Sequence, residues 1–218
     1  MALTDAANGR RTPLIVAVAV ALVAIVIAAW ALATPTHGTH ATTAAAGPTS
    51  VDVGFYQDMS VHHEQAILMS QLALTHGTST VRAIALSILS SQAEEVGAMR
   101  GALRLWGRSA TDPAPMSWAQ LASQMSPAMP MSSAMPGMAT SPQLLTLSRS
   151  TGKAFDVLFL QLMIRHHRAG VAMARAAITE HASPPVTTAA QQMIVEQVED
   201  IGTLDAILTA DGGHELPS

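Results

Sequence analysis

The sequence predicts an all-α protein, a four-helix bundle built from two repeated helical hairpins and preceded by one transmembrane helix. Three observations carry this prediction: an apolar segment near the N-terminus, four long helical stretches without strand-like alternation, and a shared side-chain pattern in the two halves. With 218 residues, the chain is long enough for one bundle domain and these additional segments.

The N-terminal segment is a continuous run of twenty apolar residues, 14–33, preceded by Arg10 and Arg11. Twenty helical residues at ~1.5 Å each cover the ~30 Å core of a bilayer, and flanking arginines stay on the cytoplasmic side. We therefore expect a cytoplasmic N-terminus at 1–12, an anchor at 13–33 and the remaining chain outside the cytoplasm as a single-pass membrane protein. The alternative is cleavage near Ala33, which would leave a secreted or periplasmic protein.

The rest of the chain divides by composition. Small polar residues at 34–50 predict a flexible spacer. We expect the bundle domain to follow at 51–212. Its first half, 51–106, contains helical stretches at about 52–76 and 79–106, and its second half, 151–210, contains them at about 151–181 and 186–210. The linker 107–150 is rich in Met and Pro, so we expect at most one short helix there, after Ser117.

The two halves are copies of one pattern. FYQDMSVHHEQAILM at 55–69 and FLQLMIRHHRAGVAM at 159–173 share Phe, Gln, Met, His-His and Met at equivalent positions. With one residue inserted, QAEEV at 92–96 matches QVEDI at 197–201. Because an amphipathic hairpin cannot bury its apolar face alone, the halves should pack on one another.

Each copy places imidazole and thioether groups on one helix face. Met59, His62 and Met69 share a stripe through spacings of three and seven residues, and the second copy repeats that stripe. Imidazole and thioether are soft-to-borderline donors, and thioether in particular selects Cu(I) over Zn, Fe or Mg. The sequence therefore predicts a copper site, with Cu(I) favoured. Its candidate ligands are His62, His63, His166, His167, Met59, Met69, Met163 and Met173.

The linker contains a further methionine cluster, interleaved with Ser, Pro and Ala. Its members are Met125, Met129, Met131, Met135 and Met138. This stretch lacks the helical periodicity of core packing, and exposed methionines are readily oxidised. We interpret it as a metal-capture arm or lid, with low-complexity drift as the alternative.

The acidic residues of the partner helices allow two interpretations. Glu94, Glu95, Glu199 and Asp200 either hydrogen-bond to the imidazoles or form a solvated face. No Glu-x-x-His occurs in the chain, which disfavours a di-iron site in the bundle.

Composition excludes several functional classes. A net charge of −4 without any basic run, together with 3% aromatic residues, argues against a nucleic-acid partner. The absence of cysteine excludes disulfides, thiolate metal sites and covalently attached haem. No nucleophile–base motif or phosphate-binding loop is visible, so we predict a binding protein and not an enzyme.

These motifs resemble those of domain-of-unknown-function family 305, exported bacterial proteins with a ferritin-like four-helix fold. The resemblance lies in Gly152-x-x-Phe155-Asp156-x-x-Phe159-Leu160-x-x-Met163-Ile164-x-His166-His167, in Met59-x-x-His62-His63-x-Gln65-Ala66, and in Met135-Pro-Gly-Met138. One departure is Arg168, where the family usually has Gly-Ala after the second His pair. This cation either weakens metal binding at His167 or points into solvent.

Some members of that family are described as periplasmic copper-binding proteins linked to copper resistance. The resemblance thus implies sequestration or transfer of copper, with copper-donor or copper-acceptor proteins as partners. A structural or interaction module of the cell envelope is the alternative, and a small redox enzyme cycling copper ranks last.

Overall fold

The computed structural model describes residues 47–119 and 135–216, and within these ranges the protein is all-α, with five helices and no strand. The helices are α1 (Ser50–His76), α2 (Ser79–Leu105), α3 (Ser141–Arg149), α4 (Gly152–Thr179) and α5 (Pro184–Ala210). The four long helices form two hairpins, α1–α2 and α4–α5, joined by the linker that contains α3. The prediction of an all-α helical bundle is confirmed.

Capping residues explain where the sequence-based helix limits differ from the observed ones. α1 begins at Ser50, inside the predicted spacer, because Thr49 and Asp52 form a reciprocal capping box. The short helix α3 was not predicted, although its own capping box from Thr140 to Gln143 is readable in the sequence. Residues 117–118 form a turn in place of the expected helix start, and 120–134 lie outside the described residues.

The central helices α1 and α4 run antiparallel. Met59 packs in the same core cluster as Met173, near one end of the bundle, and Met69 packs with Met163 in a second cluster. Both helices are buried over most of their surface, while α2 and α5 bury a single stripe each. The two copies of the repeat therefore face one another across the α1–α4 interface.

The two hairpins also cap each other. The carboxylate of Asp156, in the second turn of α4, accepts hydrogen bonds from the backbone N–H (3.0 Å) and the hydroxyl (2.6 Å) of Thr78, which precedes α2. At the equivalent position of the first copy, Asp52 accepts a bond of 2.8 Å from the backbone N–H of Ser183, which precedes α5. Each hairpin turn is thus held by the first helix of the other hairpin.

The linker is anchored to α1 on both sides of residues 120–134. Before them, the buried carboxylate of Asp58 accepts 2.7 Å hydrogen bonds from the backbone N–H of Met116 and the indole N–H of Trp118. After them, the backbone of Ala139 forms two hydrogen bonds with the Gln65 side chain. Both ends of the methionine-rich segment are consequently fixed against the helix that carries the first His pair.

The prediction of a single-pass membrane protein is contradicted by the described helices. Among residues 47–119 and 135–216, no helix has the length and apolar character needed to cross a membrane. Even the most buried helix, α4, includes Lys153, Arg165 and Arg168, as expected of an amphipathic bundle helix. The segments at 1–12 and 13–33, and the spacer up to residue 46, lie outside the described residues.

Candidate metal centre

The four histidines of the repeated pairs lie together in the core at the α1–α4 interface. His62, His63, His166 and His167 are each 0% exposed. The rings of His62 and His166 stack across the interface with centroids 3.7 Å apart. Within each pair, the ring centroids are separated by 6.3 Å in α1 and 6.1 Å in α4. The structure therefore brings both pairs into one buried imidazole cluster.

The central rings, His62 and His166, each hydrogen-bond through Nε2 to a backbone carbonyl. Nε2 of His62 donates to the carbonyl of Pro136 (3.2 Å), and Nε2 of His166 donates to the carbonyl of His62 (2.9 Å). Because a carbonyl oxygen can only accept, each Nε2 carries a hydrogen. The Nδ1 atoms of both rings are buried without a hydrogen-bond partner.

These two rings are held in the neutral form. Burial lowers the pKa of His62 to about 3, and the neighbouring imidazole of His63 adds to this effect. Burial, followed by the proximity of His62, likewise lowers the pKa of His166 well below its ordinary value. At pH 7, each Nδ1 therefore has a free lone pair that can serve as a metal donor.

The outer rings, His63 and His167, hydrogen-bond to carboxylates on the flanking helices. Nε2 of His63 donates to Glu95 (2.8 Å), and Nε2 of His167 donates to Asp200 (3.3 Å). Their Nδ1 atoms are also buried and unpartnered. An imidazole whose one nitrogen is fixed by an oxygen acceptor while the other has no protein partner is the usual arrangement of a metal-ligating histidine.

Three other charged side chains near the cluster point away from it. Glu94 and Glu199 are exposed, so the solvated-face interpretation holds for these two carboxylates. The side chain of Arg168 is 53% exposed, and its guanidinium forms a two-nitrogen ion pair with Glu215 in the C-terminal segment. This cation therefore points into solvent and is neutralised by a carboxylate beside it.

The four methionines of the repeat flank the imidazole cluster in two pairs. Met59, Met69, Met163 and Met173 are all fully buried. The first core cluster contains Met59 with Met173, and the second contains Met69 with Met163. His62 lies between Met59 and Met69 on the same face of α1, so thioethers lie on both sides of the central rings.

The linker approaches the imidazole cluster through residues 135–139. Gly137 has φ of +74°, and a Cβ there would collide with Ala169 and come within 3.3 Å of the His166 Cα atom. Only glycine fits this close approach. The loop is consequently seated directly on α4, with the carbonyl of Pro136 in contact with His62.

This seating determines where two of the linker methionines lie. Met135 and Met138 are partly buried, on either side of the Pro-Gly step, and Arg165 donates to the carbonyl of Met138 (3.4 Å). The other three linker candidates, Met125, Met129 and Met131, lie outside the described residues.

The donor types present limit which ions this centre can hold. In the described part of the chain, no three His, Asp or Glu side chains are placed so that they could hold one metal ion together. The side chains of the two repeats offer imidazole nitrogens and thioether sulfurs here, whereas hard ions prefer oxygen ligands. A soft ion that accepts thioether together with imidazole fits the donors at the α1–α4 interface.

The lowered pKa of His62 makes the metal-free protein sensitive to acid. The unfolded chain protonates this histidine near its ordinary value of 6.5, whereas the folded protein does so only near a pKa of about 3. The contribution of this histidine to the free energy of unfolding is thus fully present well above pH 6.5. It is lost progressively as the pH falls from 6.5 towards the folded-state pKa of about 3. From His62 alone, we expect the free energy of unfolding to drop by about 2 kcal/mol between pH 7 and pH 5.

Urea unfolding at several pH values measures this effect. The control is His62→Gln, in which the pH dependence should be shallower by the share of one histidine. Equal pH dependence in the two proteins would contradict a neutral, buried His62.

The fold and the site together define a class, a helical bundle whose central interface is lined by repeat-related imidazoles and thioethers. The chain belongs to the family described as domain of unknown function DUF305, whose family model matches residues 52–208. The resemblance inferred from the motifs is confirmed. No curated protein matches the chain.

Solved structures show the same fold. A putative secreted DUF305 protein from Streptomyces coelicolor is 33% identical, with a TM-score of 0.68, and the match covers 77% of this chain and 96% of that one. A DUF305 fragment from Deinococcus radiodurans is 31% identical, with a TM-score of 0.62 and coverage of 75% and 99%. CopM in its Cu(I)-bound form is 22% identical, with a TM-score of 0.54 and coverage of 73% and 96%.

Proposed function

We propose that this ferritin-like bundle binds copper, with Cu(I) favoured, and sequesters the ion or hands it on without catalysing a reaction. One observation carries the proposal. Four wholly buried imidazoles have Nε2 fixed by oxygen acceptors while every Nδ1 lacks a partner. A buried polar atom without a partner costs about 1–3 kcal/mol, and ligation of a metal ion would remove that cost.

The roles of the residues follow from their positions. His62 and His166 act as central donors, and the carboxylate-linked His63 and His167 complete the imidazole set. The buried thioethers supply soft donors on either side; they are Met59, Met69, Met163 and Met173. The linker methionines act as a capture arm, and its two described members, Met135 and Met138, are partly buried against the bundle.

Two comparisons support this proposal. CopM, which shares the fold, has been solved in Cu(I)-bound, Cu(II)-bound and Ag-bound forms. The Streptomyces coelicolor relative is described as a putative secreted protein, which supports a place outside the cytoplasm, where copper-donor and copper-acceptor proteins would be the partners.

A competition titration tests the proposal. Under anaerobic conditions, the full chain should withdraw Cu(I) from a chromophoric chelator with sub-nanomolar affinity, while Zn(II) binds far more weakly because thioether is a poor ligand for it. At free Cu(I) about a thousand times the dissociation constant, the stabilisation should reach ~4 kcal/mol and raise the melting temperature. Cu(I) binding no tighter than Zn(II) binding would contradict the proposal.

A structural module of the cell envelope is the second candidate function. It is favoured by the hydrogen bond from His166 to the His62 carbonyl, which joins the two hairpins without any metal. In this case, histidine substitutions would lower stability equally with and without copper. Copper would leave the melting temperature unchanged.

A further inference from the structure

A groove of about 450 Å³ lies between α2 and α5 on the surface of the bundle. Its lining residues include no Lys or Arg, and α5 carries no Lys or Arg over its whole length. Five carboxylates line the groove: Glu94, Glu95, Glu196, Glu199 and Asp200. A cleft with walls of one charge sign concentrates ions of the opposite sign, so this groove attracts cations.

The imidazole cluster reaches the wall of this groove at two points. Glu95 and Asp200, which line it, accept the hydrogen bonds from His63 and His167. Both rings are 0% exposed and lie directly behind these carboxylates, each with an unpartnered Nδ1. Two buried imidazoles therefore lie directly behind the groove wall, with Nε2 toward the carboxylates and Nδ1 buried without a partner.

Two methionine thioethers lie at the bottom of the groove, between its carboxylates and the core. Met99 and Met193 line the groove although they are only 1% and 4% exposed, so their side chains form its floor. Both belong to the core cluster that contains Met59 and Met173 beside the central rings. Soft donors therefore continue from the groove floor to the α1–α4 interface.

We propose that the α2–α5 groove is the route by which copper enters and leaves the buried centre, an inference that rests on the proposed function. The carboxylates attract the hydrated cation, and the floor thioethers replace its water ligands as it moves inward.

A steric substitution tests the route. Ala98 lines the groove and is exposed on α2, so Ala98→Phe narrows it, whereas Ala93→Phe places the same ring on an exposed position of α2 that does not line the groove. Capture of Cu(I) from the loaded full chain by excess chelator gives the dissociation rate constant, and competition titration gives Kd. Ala98→Phe should slow release about tenfold while Kd stays within about twofold, because a narrower passage slows entry and exit equally.

The Ala93→Phe protein should release Cu(I) at the wild-type rate. Release from Ala98→Phe as fast as from Ala93→Phe would overturn the route. If the wild-type chain fails to bind Cu(I), the proposed function itself is refuted, so the two failures are distinguishable.

A charge substitution provides an independent readout. The pair Glu94→Gln with Glu199→Gln removes two exposed groove carboxylates, and Asp205→Asn with Asp211→Asn makes the same change in charge away from the groove. The association rate constant, obtained from the release rate and Kd, should fall about 3- to 10-fold for the groove pair at low ionic strength. The difference should vanish near ~1 M salt, where the screening length is only ~3 Å. Equal association rates for the two pairs at low salt would also overturn the route.

Discussion

Replacing His62 and His166 together by glutamine should weaken Cu(I) binding at least ~100-fold, equivalent to about 2.7 kcal/mol. These rings stack at the centre of the α1–α4 interface, and both present an unpartnered Nδ1 with a free lone pair. Glutamine can still donate a hydrogen bond, but it provides no imidazole nitrogen to a soft ion. The anaerobic chelator competition measures the change in Kd.

His214→Gln is the matched control, because this side chain is exposed in the C-terminal segment and its substitution should leave Kd unchanged. Urea unfolding of each metal-free variant separates lost ligands from lost structure. A double variant that is folded and binds Cu(I) with wild-type affinity would remove the central rings from the ligand set. A double variant that is destabilised equally with and without copper would favour the envelope module.

The second large effect is expected for Asp156→Ala, which should lower the free energy of unfolding by about 3 kcal/mol. Asp156 is 1% exposed, and its carboxylate is the acceptor for both the backbone N–H and the hydroxyl of Thr78. Without it, two donors at the start of α2 lose their partner, and the contact between the hairpins at that end of the bundle is lost. Urea unfolding of the metal-free protein measures the loss.

Asp52→Ala tests the equivalent position of the first copy, where Asp52 accepts a hydrogen bond from the backbone N–H of Ser183 before α5 and also caps its own helix through Thr49. We expect a loss in the same range. Asp205→Ala is the control, because this aspartate is exposed and its removal should change the free energy of unfolding by less than ~0.5 kcal/mol. A loss from Asp156→Ala as small as that of the control would show that the mutual capping does not stabilise the bundle.

The two aspartates of these reciprocal caps are recognisable in the sequence as one repeated position, but their partners are not. Asp52 and Asp156 each stand three residues before the phenylalanine that begins the conspicuous part of the repeat, Phe55 in one copy and Phe159 in the other. An aspartate near the start of a helix usually stabilises that same helix end, so its position alone suggested a local role. Only the antiparallel packing of α1 on α4 places each carboxylate at the start of the other hairpin's second helix.

For the candidate ligands, too, some positions were predictable from the sequence and others were not. The repeated spacing of Met59, His62 and Met69 was sufficient to place them on one buried helix face, because the α-helical period is fixed. The seating of residues 135–139 was not predictable from the spacing of its methionines. It depends on Gly137 fitting against α4 and on the two hydrogen bonds between Gln65 and Ala139.

The sequence by itself therefore determined the four long helices, the repeat, the family and the types of donor available, since periodicity and residue chemistry are local properties. The tertiary structure alone decided that Glu95 and Asp200 contact imidazoles while Glu94 and Glu199 face solvent. It also decided that Arg168 pairs with Glu215, and that every Nδ1 of the four histidines is buried without a partner. These properties depend on which surfaces of different helices meet, and long-range packing sets that arrangement.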